Sequence, residues 1–218
     1  MFEKLSEEKK TEILETGIAE FAQNGVDRAN INVIAKKAGI SVGVLYKYYT
    51  DKETFFLACL KRSLDVLTTV LQEQITSDDK LLVRTGKIIR AVQKTSREHT
   101  NYIRMYNEIT SGGSRKYAPL LAEKIECLSS TVYTQFIAEA AEKGDIRDDI
   151  EPRMFAFFFD NLLMMLQFSY SCDYYRERFK VYCGETTVDN DELVASQLTK
   201  FLESAFTFRS SDVKHQEK

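Results

Sequence analysis

Proline occurs twice and glycine nine times in a chain of 218 residues. An all-β chain needs a turn every ~8–12 residues, and its turns draw on these two residue types. The scarcity predicts an all-α chain of long helices with few breaks. Hydrophobic residues at 44% and charged residues at 29% are ordinary for a folded domain and exclude disorder over most of the chain. Tryptophan is absent, so the bulk of a core or pocket must come from 14 Phe and 11 Tyr.

Two scarcities narrow the chemistry. The only histidines are His99 and His215, so a Ser-His-Asp triad or a two-histidine zinc site would use almost the whole supply. Cys59, Cys127, Cys172 and Cys183 form no CxxC pair and read as small buried hydrophobes. No catalytic residue, metal ligand or cofactor is expected. The opening MFEKLSEEKK is charged rather than apolar, which predicts no secretory signal, reduced thiols and a cytoplasmic location.

The helical reading runs in order along the chain. Residues 6–24 form an amphipathic helix capped by Ser6 and stopped at Asn24-Gly25. Asn30 caps a short helix from Ile31 to Ala38. Gly39 interrupts, Ser41 caps a second short helix from Val42 to Tyr49, and Thr50-Asp51 breaks again. Longer helices follow at Lys52–Ile75, Lys80–Glu98, Asn101–Thr110, Ala118–Lys143, 152–172 or on to Tyr182, and Asp191–Phe208. Ser111-Gly112-Gly113-Ser114 is the clearest loop, and Arg209–Lys218 reads as a frayed tail. Met154–Cys172 approaches membrane-spanning length, but Asp160, Asn161 and Gln167 interrupt it. It is expected to be buried on nearly all sides, in a core or a subunit interface, with no membrane partner.

The segment 30–49, NINVIAKKAGISVGVLYKYY, carries the functional signal. Two short helices joined by a glycine-containing turn predict a helix-turn-helix. Ala35 is small where the helices cross, and Gly39 supplies a left-handed turn residue. The net charge of the chain is −3, yet residues 28–52 carry Arg28, Lys36, Lys37, Lys47 and Lys52 against Asp51 alone. A basic segment on an acidic chain can attract phosphate. Lys36 and Lys37 read as solvated helix-face charges.

Over residues 10–56 the chain resembles the DNA-binding domain of the tetracycline-repressor (TetR) family. The resemblance is carried by Ile13, Ala19, Phe21, Gly25, Ile34-Ala35, Ala38-Gly39-Ile40-Ser41, Gly43, Leu45-Tyr46, Tyr48-Tyr49 and Lys52-Glu53. Val44 stands where the family often has Thr, Tyr49 where Phe is usual, and Asn30 where Thr or Ser commonly caps the second helix. The resemblance implies a DNA-binding domain at 1–56 and a helical effector-binding and dimerisation domain at 57–218. Asn30, Ser41, Val42, Gly43, Val44, Tyr46, Lys47, Tyr48 and Lys52 become the DNA-binding set. Tyr46, Lys47, Tyr48 and Lys52 are its phosphate contacts, and the first amides of the Lys52 helix favour an anion. Val42 is expected to touch a thymine methyl and Lys47 to reach guanine.

The implied homodimer is built from the last two long helices, with Phe158, Leu162 and Leu166 facing Leu198, Phe201, Leu202 and Ala205. Tyr102, Met105, Tyr106, Tyr133, Phe136, Phe157, Asn161, Met164, Met165 and Phe168 form the candidate ligand pocket, large and partly polar. Asp160 and Asn161 need polar partners inside a greasy helix. The function expected is a dimeric transcriptional regulator, a repressor released from a palindromic operator by a small, largely apolar effector. A DNA-binding regulator gated by a protein partner, and a helical carrier or enzyme, are the alternatives.

Overall fold

The computed structural model describes residues 5–75, 79–110, 119 and 122–207. All regular structure among them is helical: α1 (Glu7–Arg28), α2 (Ile31–Lys37), α3 (Val42–Tyr48), α4 (Lys52–Ile75), α5 (Leu81–Glu98), α6 (Thr100–Glu108), α7 (Cys127–Glu142), α8 (Pro152–Ser171), α9 (Asp173–Cys183) and α10 (Asp191–Thr207). No helix among the described residues is long and apolar enough to cross a membrane. The chain divides into two compact units. The first holds Met1–Thr69 and His99–Leu120, and the second Val70–Glu98 and Leu121–Lys218. Beyond residues 1–56, the first unit thus takes in most of α4 and the whole of α6.

In the first unit α1, α4 and α6 share a core. Phe21 meets Phe55 and Phe56 with ring centroids 5.9 and 5.2 Å apart. Gly17 lets α1 and α4 touch: a Cβ there would lie 2.5 Å from the Phe55 ring and 2.8 Å from the Cys59 sulfur. Ser6 caps α1, its hydroxyl accepting from the Lys9 amide. The predicted stop at Gly25 is only a kink. Gly25 has φ 70° but ψ 170°, and one more turn carries α1 to Arg28. Glu15 joins three helices, accepting from Tyr102 Oη at 2.5 Å and from Arg62 Nε at 2.6 Å. Burial, with this bond second, pushes the Tyr102 hydroxyl up to about 12.

The second unit is built around an aromatic cluster, with Tyr133 and Phe136 at 5.0 and 5.9 Å from Phe159. Ile88, Ile89, Ile137, Leu163, Val194 and Phe206 pack with it. Arg97 ties α5 to the start of α10: Nη2 donates to Asp191 Oδ1 at 2.6 Å and to the Val188 carbonyl at 2.8 Å.

Of the two ends expected for the helix that opens at Pro152, the one at residue 172 holds and the extension to Tyr182 does not: the helix breaks at Cys172, whose backbone is extended, and restarts as α9. A tertiary tie accompanies the break: the Ser171 hydroxyl donates to the Ser96 carbonyl at 2.9 Å while Cys172 is buried. Within the single chain Met154–Cys172 is not wholly core, since Met154, Phe157 and Phe158 are 51%, 61% and 52% exposed. The described part of the 118–143 helix opens with a π-helical turn, Ala122–Glu126, before α7, and Gly144 closes it at φ 75°. The 111–114 loop, residue 118, Phe208 and the 209–218 tail lie outside the described residues.

Candidate functional site

The helix-turn-helix is assembled by local chemistry. Asn30 caps α2 through the Asn32 amide, and Ser41 caps α3 through the Val44 amide at 3.2 Å. Between them the Ile40 amide donates to the Ala35 carbonyl at 3.0 Å and Gly39 sits at φ 64°. This closure of a helix end needs a left-handed residue. Leu45 is 1% exposed and Tyr49 stacks edge-on against Phe55 at 4.9 Å, so one face of α3 is spent on the head's core.

The other face of α3 points away from that core. Gly43, Tyr46 and Lys47 are exposed, and Val42 and Val44 are half-buried beside them. A Cβ on Gly43 would meet only Ser41 Oγ, at 3.8 Å, so nothing inside the head requires glycine there. Two of the predicted phosphate contacts have partners within the head. Tyr48 Oη accepts from the Leu5 amide at 2.9 Å, and Lys52 Nζ donates to the Asp27 carbonyl at 2.8 Å, near the end of α1. At the start of α4 the Asp51 carboxylate accepts from the Thr54 amide at 2.7 Å and caps that end.

The sequence reading missed Glu20. It is 4% exposed, and its carboxylate accepts from the Asn30 amide at 3.2 Å, from Asn24 Nδ2 at 3.0 Å and from Lys37 Nζ at 3.4 Å. It therefore grips both ends of α2 from α1. The signal was available, because Glu20 falls on the apolar stripe of α1 at helical spacing from Ile13 and Gly17.

The second unit carries an open groove of about 820 Å³ between α7 and α8. Ser129, Ser130, Thr131 and Thr134 line one wall, and Phe157, Asp160, Asn161 and Met164 the other, with Glu126 at the α7 N-terminal end and Arg153 on α8. Asn161 Nδ2 donates to the Phe157 carbonyl at 2.7 Å. Burial, aided by the charge of Glu126 and opposed by a hydrogen bond from Ser129, pushes the Asp160 carboxyl up to about 6.

Of the predicted pocket residues, Phe157, Asn161 and Met164 line this groove. Tyr133 and Phe136 are core, and Phe168 is buried against Tyr175. Met165 is half-buried, outside the groove lining. Tyr102, Met105 and Tyr106 lie on α6 in the first unit. The interface set also divides. Phe158 and Phe201 are exposed and Leu162, Leu198 and Ala205 are half-buried, whereas Leu166 and Leu202 are buried in their own unit's core. The i+4 steps explain Leu166: eight residues along a helix of 3.6 residues per turn rotate the stripe by about 80°, from the open face at Phe158 to the core.

Residues 13–59 match the model of the "Bacterial regulatory proteins, tetR family". Curated relatives include the HTH-type transcriptional regulator YuxN of Bacillus subtilis, 31% identical over 98 residues, 45% of this chain and 34% of that protein. The fatty acid metabolism regulator protein of the same species is 26% identical over 83 residues, 36% of this chain and 43% of that protein. The matched segments therefore span less than half the length of these two relatives. Solved structures share the fold at far greater coverage. A TetR family transcriptional regulator from Chloroflexus aurantiacus aligns with TM-score 0.70 at 18% identity, covering 94% of this chain and 96% of that one. The ketosteroid transcriptional regulator KstR2 of Mycobacterium tuberculosis aligns with TM-score 0.68 at 19% identity, covering 94% and 98%. Residues 13–59 are thus a helix-turn-helix head of the TetR family of bacterial regulatory proteins, and the helices beyond them share the fold of solved TetR-family regulators.

Proposed function

We propose that the protein is a dimeric DNA-binding transcriptional regulator, a repressor whose two heads read a palindromic operator and release it when a small, largely apolar effector binds the second unit. The observation that carries this reading is the outward face of α3, where Gly43, Tyr46 and Lys47 are exposed on a short helix held rigidly by caps, the Gly39 turn and Glu20. A recognition helix presented in this way enters a major groove, and a glycine with open space over it admits close approach of DNA. One head spans few base pairs, so useful specificity calls for two on a palindrome. A transcriptional regulator FadR from Bacillus subtilis, of the same fold at 16% identity, was solved in complex with stearoyl-CoA, which supports a ligand-responsive second unit here. Effector and operator then weaken each other's binding by the same factor.

The test is a gel shift with the DNA upstream of the protein's own gene, repeated over a salt series. A sequence-specific shift is expected, and Lys47→Ala should lower the slope of log affinity against log salt by about one unit if Lys47 meets phosphate. If it reads guanine instead, the loss falls on one base position. Equal binding to operator and scrambled DNA would overturn the reading.

A further inference from the structure

We propose that Lys10 of α1 and the Tyr48 hydroxyl of α3 clamp one phosphate of the DNA backbone, and that Glu7 restrains this clamp by holding the Lys10 ammonium in the free protein. The inference deepens the DNA-binding reading above and rests on it. By charge alone the start of α1 is a poor source of such a contact, since its first turn carries Glu7 and Glu8. The tertiary structure nevertheless brings it to α3. The Leu5 amide donates to Tyr48 Oη at 2.9 Å, and Lys10 Nζ lies 6.0 Å from the centroid of the Tyr48 ring, at the limit of a cation–π contact. A cation from outside the helix-turn-helix thus stands at the last turn of α3, which also carries the exposed Lys47.

The direction of the hydrogen bonds leaves both groups able to bind an anion. Tyr48 Oη is the acceptor in its bond with Leu5, so its own proton remains to be donated. A hydroxyl that already accepts is the stronger donor, and the Leu5 bond fixes where its oxygen sits. Lys10 Nζ donates to Glu7 Oε1 at 2.6 Å, which uses one of the three ammonium N–H groups. The Glu7 side chain is 84% exposed, so this pair lies open to water and salt and contributes little to stability. Its carboxylate can turn into solvent at small cost when a phosphate arrives. The phosphate then takes a charge-assisted bond from Lys10 and a second bond from Tyr48. Phosphate contacts carry no base information, so the clamp and its restraint act equally on every duplex.

The test is fluorescence anisotropy of the full-length protein on two labelled duplexes, the DNA upstream of its own gene and a scrambled copy, each over a salt series. Lys10→Gln should weaken both duplexes by the same factor and lower the slope of log affinity against log salt by about one unit, while Lys10→Arg keeps the slope. Glu7→Gln should strengthen both by about threefold, and half or more of that gain should vanish in the Lys10→Gln background. Tyr48→Phe keeps the ring and removes the hydroxyl, and should weaken both duplexes alike. If Lys10→Gln weakens binding with the slope unchanged, Lys10 only holds α1 in place and the clamp is overturned. A Glu7→Gln protein that binds no more tightly, or a gain untouched by Lys10→Gln, overturns the restraint. Glu7→Gln supplies the test of Lys10 from the opposite direction should Lys10→Gln fail to fold. The wild type separates this inference from the reading beneath it. Preference for the upstream duplex with an unchanged slope in Lys10→Gln loses the clamp and keeps the regulator. Equal binding to both duplexes with a lowered slope does the reverse, and a wild type that binds neither overturns both.

Discussion

A methyl group added at Gly43 would touch only the Ser41 hydroxyl, whereas one added at Gly17 would enter the Phe55 ring. The two glycines therefore answer different demands. Gly17→Ala should destabilise the first unit, because the α1–α4 crossing is already closed. Gly43→Ala should stabilise the isolated protein by about 0.5–1 kcal/mol, since alanine is the better helix former. Operator affinity should nonetheless fall, which thermal melting and gel shift on the same sample will separate; unchanged affinity would remove the close approach assigned to Gly43. Glu20 makes the opposite case of a residue whose worth is structural. Glu20→Ala leaves the Asn30 amide without its acceptor and Lys37 without its counter-ion. A loss of about 1–3 kcal/mol is expected, with faster amide exchange in α2 than in α5. Wild-type stability in that variant would show that water replaces the carboxylate at no cost.

Among the elements, α8 carries the most conflicting demands. It supplies Phe159 and Leu163 to the core, Asp160 to the groove, and Phe157 and Phe158 to an open face. Asp160 has its pKa pushed from 3.8 up to about 6, so the folded chain binds a proton that the unfolded chain has released across that interval. Stability from this group is greatest below pH ~4 and is lost as pH rises to ~6. Asp160→Asn should flatten the melting temperature between those limits and raise stability at pH 7 by on the order of 1–2 kcal/mol, after allowance for partial solvent access. Thermal melts across a pH series decide it. A flat wild-type profile in that window would mean that the carboxylate is better solvated than its burial implies.

For the molecule as a whole the open question is assembly. Phe201 is 60% exposed in the single chain while the adjacent Leu202 is 3% exposed. Adjacent helix residues point about 100° apart, so one substitution probes the interface and the other the core. Phe201→Glu should leave the melting temperature of the isolated chain unchanged, convert the dimer to monomer in light scattering at micromolar concentration, and abolish operator binding with α3 untouched. Leu202→Glu should instead unfold the second unit by burying an unpaired charge. A wild-type monomer would overturn the proposed dimer, and a Phe201→Glu protein that remains a dimer would overturn the contact proposed at Phe201.

The head was legible in the sequence because its determinants act over a few residues. Ser6, Asn30 and Ser41 cap their helices, and Gly39 turns the chain, through bonds that span at most five positions. Hydrogen bonding and backbone sterics at that range need no knowledge of the rest of the fold. What lay beyond the sequence depended on partners distant along the chain. The break at Cys172 has no proline or glycine to announce it and coincides with a bond from Ser171 to Ser96. Tyr102 and Tyr106 share the aromatic character of Tyr133 and Phe136, and only packing assigned them to different units. Leu166 and Phe158 repeat at the same spacing, yet rotation along α8 sends one to the core and the other outward. The buried Glu20 and the weakly acidic Asp160 belong to the same class. Periodicity identifies which residues share a helix face, but burial, desolvation and charge are set by whatever packs against that face, and only the tertiary structure supplies it.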